Sequence, residues 1–148
     1  MLVREIMSTD VVACDASASL RRGVESMLRN RIGSVIVTDG GGPAGIVTET
    51  DCIHAGYVTD APFSEIPIRK VMSSPLETIA PSKPARTAWK SMKDRRVKKL
   101  IVLDGLDVVG VLTATDLVNH YPELTAEIHE IERVRDRHAP ETSRFDLE

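Results

Sequence analysis

One seven-residue stretch occurs twice in the chain and limits its possible folds more than any other feature. Residues 45–51 read Gly-Ile-Val-Thr-Glu-Thr-Asp, and residues 110–116 read Gly-Val-Leu-Thr-Ala-Thr-Asp. The copies lie 65 positions apart, and residues 3–54 align with residues 68–119 without a gap. Of the 52 aligned pairs 16 are identical, where about three would be expected between unrelated sequences. The chain is therefore an internal duplication of one structural unit.

The length of the chain makes each copy dependent on the other. A chain of 148 residues corresponds to one domain of ordinary size or to two very small ones. Each copy alone lies near the size below which a domain buries too little apolar surface to fold. We therefore predict that the two copies pack against each other through their small sheets.

Apolar periodicity and turn residues predict the same order of elements in both copies: strand, helix, strand, strand, helix. In the first copy we expect a strand at 11–13, a helix capped within 17–19, strands at 34–38 and 46–47, and a helix at 52–57. In the second copy we expect a strand at 77–79, a helix with Pro84 in its first turn, strands at 100–103 and 108–112, and a helix at 117–121. The predicted class is α+β, with a βαββα repeat.

The duplication and the composition of its flanks predict the domain boundaries. We expect repeat 1 at 1–58, a proline-containing linker at 59–67, repeat 2 at 68–121, an amphipathic helix at 122–138 and a flexible tail at 139–148. The terminal helix is predicted because apolar residues recur at helical spacing, at Leu124, Ile128, Ile131 and Val134.

Composition and cysteine usage predict a cytoplasmic protein without membrane contact. The hydrophobic fraction of 42% and the charged fraction of 28% are those of a soluble globular chain. No apolar run approaches the ~20 residues that a bilayer requires, and residues 1–5 do not resemble a signal peptide. Cys14 and Cys52 stand opposite Ile79 and Leu117 in the other copy, which indicates buried free thiols rather than a disulfide.

The repeated Thr-x-Thr-Asp sequence has two interpretations that do not exclude each other. Thr48 with Asp51, and Thr113 with Asp116, have the spacing of a capping box at a helix start. Hydroxyl and carboxylate groups in this position can also hydrogen-bond a ribose diol or phosphate oxygens.

A basic cluster at residues 95–99, Arg-Arg-Val-Lys-Lys, occurs only in the second repeat. It can be a solvated charged turn or a site for a polyphosphate. In the matching segment of the first repeat, residues 30–34, only Arg31 is basic, and Gly33 and Ser34 stand opposite the two lysines. The net charge of −3 argues against a nucleic acid as partner of this cluster.

Taken together, the gapless repeats resemble a tandem pair of CBS domains, a Bateman module. The resemblance covers residues 3–121 and rests on the Met-Ser openings, a strand before each glycine, and the two Gly-apolar-apolar-Thr-x-Thr-Asp endings. It implies two βαββα repeats related by a pseudo-twofold axis, with two clefts between them. It also implies a homodimer of such modules. The family binds adenosine-containing ligands such as AMP, ADP, ATP or S-adenosylmethionine, and it acts in sensing and regulation without chemistry of its own.

The resemblance also implies roles for particular residues. Asp51 and Asp116 should bind ribose hydroxyls. Ribose or phosphate contacts should come from Thr48, Thr50, Thr113 and Thr115, and phosphate contacts from Lys98 and Lys99. Val12 and Ala13 should line the Asp116 cleft, and Glu77 and Thr78 the Asp51 cleft. Ile32 and Val97 should enclose the adenine.

Two departures from the family pattern predict that the clefts are not equivalent. Gly33 and Ser34 supply no positive charge, and Glu77 adds a negative one. We therefore expect one site to prefer phosphorylated nucleotides. No catalytic residue, metal site or catalytic cofactor is predicted, so the leading hypothesis is a regulatory module that signals to an unidentified effector protein. The alternative is a structural dimerisation module with degenerate clefts.

Overall fold

The computed structural model describes residues 1–74, 76–124 and 126, which fall into two compact units. We call Val12–Leu76 the contiguous unit. Met1–Val11 and the described residues from Glu77 onward form the other unit, which we call the split unit because its two pieces are distant in sequence.

The two units contain the same elements. In chain order these are α1 Val3–Ile6, β1 Ala13–Asp15, α2 Leu20–Asn30, β2 Ser34–Asp39, β3 Gly42–Thr48, α3 Glu49–Thr59, α4 Ile68–Val71, β4 Thr78–Ile79, α5 Ala85–Arg95, β5 Lys99–Asp104, β6 Asp107–Thr113 and α6 Ala114–His120. Single 3-10 turns lie at Phe63–Glu65 and Pro122–Leu124. Each unit has a three-stranded sheet, ordered β1-β2-β3 or β4-β5-β6, with one parallel pair followed by an antiparallel hairpin.

The helices of each unit cover its sheet with an apolar face. In the split unit the core joins α5 residues such as Trp89 and Met92 to Leu100, Val102 and Leu112 of the sheet. In the contiguous unit Leu20 and Met27 of α2 pack in the same core as strand residues such as Val35 and Val47. Each unit therefore has its own hydrophobic core.

The opening segment of each repeat packs with the other repeat. Helix α1 belongs to the split unit, where Val3 and Ile6 are buried and the Val3 amide donates to the Lys83 carbonyl at 2.9 Å. Helix α4 belongs to the contiguous unit, where the Ile68 amide donates to the Ala18 carbonyl at 3.1 Å. The compact units thus differ from the sequence repeats by an exchange of these segments.

A glycine in the last strand of each sheet allows the opening segment to approach closely. A Cβ built on Gly110 would lie 2.6 Å from the Met7 Sδ and 2.8 Å from the Ser8 carbonyl oxygen. A Cβ on Gly45 would lie 2.7 Å from the Met72 Sδ. Real Cβ atoms do not come this close to their neighbours, so a side chain at Gly110 would press on backbone and one at Gly45 would have to displace the Met72 side chain.

The predicted α+β class and the repeated βαββα order are confirmed. Three details of the prediction are wrong. The first strand spans Ala13–Asp15 rather than 11–13, and the strand predicted at 46–47 spans Gly42–Thr48. The helices predicted at 52–57 and 117–121 begin at Glu49 and Ala114. The helices start earlier because the first threonine of each Thr-x-Thr-Asp stretch is itself the N-cap. How the two sheets pack together stays a prediction.

The predicted terminal helix and tail fall almost entirely outside the described residues. Within the part of the chain that the structure describes, no helix has both the length and the apolarity needed to cross a bilayer.

Candidate ligand-binding site

Both Thr-x-Thr-Asp stretches form capping boxes, which confirms the structural interpretation of this motif. The Asp116 amide donates to the Thr113 Oγ1 at 3.1 Å, and the Thr113 amide donates to the Asp116 Oδ2 at 2.9 Å. Thr48 and Asp51 make the matching pair of bonds, at 3.2 and 2.8 Å. Each cap uses the Oδ2 oxygen of its aspartate, so in the half-buried Asp116 the Oδ1 oxygen is the one that a ribose diol would reach.

In the split unit the lysines of the basic cluster lie beside this motif. Lys99 begins β5 and pairs with Thr113 at the end of β6. The Ala114 amide donates to the Lys98 carbonyl at 2.7 Å. These pairings shape a groove of about 420 Å³ that is lined by Lys98, Lys99, Thr113, Ala114 and Thr115. Two lysines and two threonines therefore line one concave surface, and their ammonium and hydroxyl groups are of the kinds that bind phosphate oxygens.

Part of the basic cluster is already neutralised inside the split unit. The Arg95 guanidinium contacts the Glu77 carboxylate at 2.5 Å, with 47% and 12% of the two side chains exposed. Glu77 is held next to β5, because its carbonyl accepts from the Ile101 amide at 2.9 Å. Lys98 and Lys99, unlike Arg95, line the groove.

At the matching place in the contiguous unit a carboxylate is present and the two lysines are absent. Glu49 stands where the split unit has Ala114, and its amide donates to the Gly33 carbonyl at 3.1 Å. A Cβ built on Gly33 would lie 3.8 Å from the Glu49 Cδ, so this carboxylate lies over the position that matches Lys98. Asp51 is only 1% exposed, whereas Asp116 is half-buried.

The residues predicted to enclose the base have different environments. Val97 is fully buried in the core of the split unit, and Ile32 is half-buried in the contiguous unit. Val12 and Ala13 belong to the same unit as Asp51, and Glu77 and Thr78 to the same unit as Asp116. Thr50 and Thr115 are exposed. The predicted pairing of each opening strand with the aspartate of the other repeat stays a prediction.

Sequence reasoning missed the contrast between Glu49 and Ala114. The signal was present in the alignment of the two repeats, where these residues stand opposite each other within an otherwise identical Thr-x-Thr-Asp stretch. It was missed because the side-chain direction of Glu49, towards Gly33, is visible only in three dimensions.

The two cysteines of the contiguous unit are free thiols, as predicted. Burial raises the pKa of the Cys52 thiol from 9.0 to about 12, and the neighbouring Asp51 and Glu49 add to the increase. Burial also raises the pKa of Cys14, partly offset by Arg22. Both thiols are therefore protonated at neutral pH and poorly nucleophilic. Among the described residues, no three His, Cys, Asp or Glu side chains are grouped closely enough to hold a metal ion.

Comparison with known proteins gives a family match over most of the chain. The family model for the CBS domain matches residues 3–57 and 68–123. An uncharacterized protein of Methanopyrus kandleri, MK0525, is 30% identical over 130 residues, covering 86% of this chain and 66% of the relative. Another of Methanocaldococcus jannaschii, MJ1404, is 26% identical over 135 residues, covering 82% of this chain and 32% of the relative. The chain thus spans less than two thirds of the length of either relative.

Solved structures show the same fold at low sequence identity. The CBS domain protein TA0289 of Thermoplasma acidophilum matches with a TM-score of 0.77 and 23% identity, covering 92% of this chain and 78% of that one. The CBS domain protein PAE2072 of Pyrobaculum aerophilum, complexed with AMP, has a TM-score of 0.70 and 20% identity over 90% of this chain and all (100%) of that one. The CBS domain pair of MJ0100, in complex with 5′-methylthioadenosine and S-adenosyl-L-methionine, has a TM-score of 0.70 and 20% identity, covering 83% of this chain and 97% of that one.

Proposed function

The chain belongs to the CBS domain family, and from this premise we propose that its split unit binds a phosphorylated adenosine ligand and regulates a partner protein. Asp116 accepts hydrogen bonds from the ribose hydroxyls, and Lys98 and Lys99 bind the phosphate. Thr113 and Thr115 donate further hydrogen bonds to ribose or phosphate.

The observation that carries this proposal is the groove in which Lys98 and Lys99 meet Thr113 and Thr115. Its volume of about 420 Å³ falls within the range of small-molecule sites. The Thr113–Asp116 capping box fixes the backbone at the groove before any ligand arrives. A site that is preorganised in this way loses less conformational entropy on binding.

The adenosine part of the ligand is supported by the solved relatives. One CBS domain protein of similar fold is complexed with AMP, and another with 5′-methylthioadenosine and S-adenosyl-L-methionine. The two lysines favour the phosphorylated members of this class at the split unit, because an ammonium group attracts a phosphate dianion.

The contiguous unit is the weaker nucleotide site in this proposal. Gly33 and Ser34 replace the lysines there, Glu49 adds a carboxylate, and Asp51 is almost fully buried. Val12, Ala13 and Ile32 of this unit, together with Val97, Glu77 and Thr78 of the split unit, remain candidates for contacts with the base.

The proposed output is regulatory rather than catalytic. A ligand shifts the protein between two arrangements only by as much as it binds one of them better than the other. We propose that this shift is transmitted, in a cytoplasmic homodimer, to an effector protein.

The test is isothermal titration of the chain with AMP, ADP, ATP, S-adenosylmethionine and 5′-methylthioadenosine, together with thermal unfolding. We expect a phosphorylated ligand to bind, and at 100 times its dissociation constant to stabilise the chain by about 2.7 kcal/mol. The Lys98→Gln/Lys99→Gln variant should lose at least tenfold in affinity. A matched control, Lys83→Gln/Lys90→Gln, removes the same charge from exposed positions of the same unit and should bind as wild type does.

The ribose contact is tested separately by Asp116→Asn. The asparagine oxygen can still accept the Thr113 amide and keep the cap, while its amino group replaces the oxygen that faces the ribose. We expect at least tenfold weaker binding with little change in unfolding temperature. If no adenosine ligand binds or stabilises the wild-type chain, the proposal is wrong and a structural dimerisation module becomes the better account.

A further inference from the structure

The first residue of helix α3, Glu49, differs in charge from its counterpart Ala114 in an otherwise matched backbone. Both residues follow a threonine N-cap, and both donate their amide to the carbonyl of the residue just before a strand, Gly33 or Lys98. The backbones at the two positions are therefore equivalent, and the side chains are what distinguishes them.

The Glu49 carboxylate lies beside Gly33, the position at which the split unit has Lys98. Its Cδ and Oε1 atoms are 3.8 and 3.9 Å from an ideal Cβ on Gly33, the position that matches Lys98. In the split unit Lys98 lines the groove, and Ala114 beside it carries no charge. A phosphate placed against Thr48 and Thr50, as in the split unit against Thr113 and Thr115, would therefore meet a carboxylate instead of an ammonium group.

The charges around the two positions confirm the inversion. In the split unit four cations, Arg95, Arg96, Lys98 and Lys99, stand with two carboxylates, Glu77 and Asp116. At the matching positions of the contiguous unit, one cation, Arg31, stands with the carboxylates of Glu49 and Asp51. Arg31 matches Arg96, and both end a helix in the left-handed conformation, so this pair does not distinguish the units.

We propose that Glu49 sets the ligand charge at the contiguous unit, which rejects phosphorylated nucleotides and accepts uncharged or cationic adenosine derivatives. This inference rests on the proposed function, because it assumes that both units use the same face for an adenosine ligand. Glu49 is a specificity residue in this account: it adds no affinity for the adenosine itself and acts only on the charged substituent.

The test uses a Lys98→Gln/Lys99→Gln background, in which the split unit no longer binds phosphate, and compares Glu49→Gln with its parent. Glutamine keeps the shape of the side chain and removes its charge. We expect AMP to bind Glu49→Gln about fivefold more tightly than its parent. The Glu49 carboxylate repels the phosphate dianion when both lie at the start of helix α3, and solvent and salt screen this repulsion only in part. Adenosine should change less than twofold, and S-adenosylmethionine, which carries a sulfonium charge, should bind more weakly.

A matched control and a salt series separate local charge from other causes. Glu65→Gln removes one exposed carboxylate from the same unit, away from Gly33, and should leave all three affinities unchanged. The AMP gain in Glu49→Gln should shrink between 50 and 500 mM salt (~14 to ~4 Å Debye length), as a charge effect does.

A gain-of-function variant keeps the inference testable even if the parent binds weakly. Gly33→Lys/Ser34→Lys/Glu49→Ala copies the split-unit residues into the contiguous unit, and a side chain fits at Gly33 because its Cβ would make only ordinary contacts. We expect AMP to bind at least tenfold more tightly than in the parent.

The outcomes separate this inference from the proposed function. Equal changes for AMP and adenosine in Glu49→Gln, or no AMP gain in the triple variant, overturn the role of Glu49. Failure of wild type to bind any nucleotide through Lys98 and Lys99 overturns the proposed function itself. Opposite responses of AMP and S-adenosylmethionine support the inference.

Discussion

Replacing Gly110 by alanine should destabilise the split unit by about 2–4 kcal/mol. The new Cβ would lie 2.6 Å from the Met7 Sδ and 2.8 Å from the Ser8 carbonyl oxygen. The sulfur can move, but the carbonyl is fixed, because Ser8 and Val111 exchange two backbone hydrogen bonds of 2.9 Å each. Overpacking costs about 1–3 kcal/mol, and each weakened hydrogen bond adds about 1 kcal/mol.

Two other glycines provide matched controls for the same substitution. For Gly45→Ala the three atoms nearest the new Cβ all belong to the flexible Met72 side chain, at 2.7 to 2.9 Å, so we expect a smaller loss of about 1–2 kcal/mol. Gly42 has no atom within 4 Å of the position that a Cβ would occupy and no left-handed φ, so alanine there should change stability by less than about 1 kcal/mol.

Urea unfolding followed by circular dichroism measures the three effects on one scale, from the midpoints at constant slope. We expect Gly42→Ala to be the most stable of the three variants, Gly45→Ala to be less stable and Gly110→Ala to be the least stable. If Gly110→Ala unfolds at the wild-type urea concentration with an unchanged slope, the close approach of the opening segment is not as we describe it.

Three further predictions concern the caps, a thiol and an ion pair. Thr48→Ala and Thr113→Ala should each lower the free energy of unfolding in urea by about 1 kcal/mol, because the N-cap hydroxyl is lost. Serine at either position should restore most of that stability, and serine variants as unstable as the alanine variants would contradict the capping role. The raised pKa of Cys52 stabilises the fold fully below pH 9.0, and this contribution is lost as the pH rises towards about 12, since the unfolded thiol ionises first. Urea midpoints measured from below to above pH 9.0 should therefore fall less in Cys52→Ala than in wild type, and parallel curves would refute the assignment. Arg95→Met should cost no more than about 1 kcal/mol, and less at high salt, because the Glu77 pair is partly exposed; a loss that is independent of salt would argue against an electrostatic origin.

Local sequence signals were sufficient to predict most of the fold. Gly40 and Gly105, both with left-handed φ, lie in the two hairpin turns that the sequence predicts, although β3 begins at Gly42, four residues before the predicted strand. The first strand was misplaced by two residues because its position depends on pairing: Ala13 lies opposite Ile36 of β2, a contact that no local pattern encodes. Tertiary pairing therefore decided the register of a strand too short to have a clear alternation of its own.

Only part of the candidate site could be predicted from the sequence. Lys98 and Lys99 could be connected with Thr113 and Thr115 through the repeat pattern and the family resemblance, and the structure brings these four residues together in one groove. The ion pair between Arg95 and Glu77 could not be foreseen, because it joins residues 18 positions apart through the fold of β4 and α5. Side-chain direction and ion pairing arise from three-dimensional packing and leave no periodic signal in the sequence.

The exchange of opening segments has a consequence for synthesis on the ribosome. All described elements of the contiguous unit lie between Val12 and Leu76, so all of their packing partners within the unit are available once that stretch has emerged. Helix α1 is made before that stretch but packs only after β6 is made, because Ser8 exchanges backbone hydrogen bonds with Val111, more than a hundred residues later. Until then Val3 and Ile6 are exposed to chaperones and to other nascent chains. Helix α1 is thus translated before the contiguous unit and can be buried only after that unit has been made.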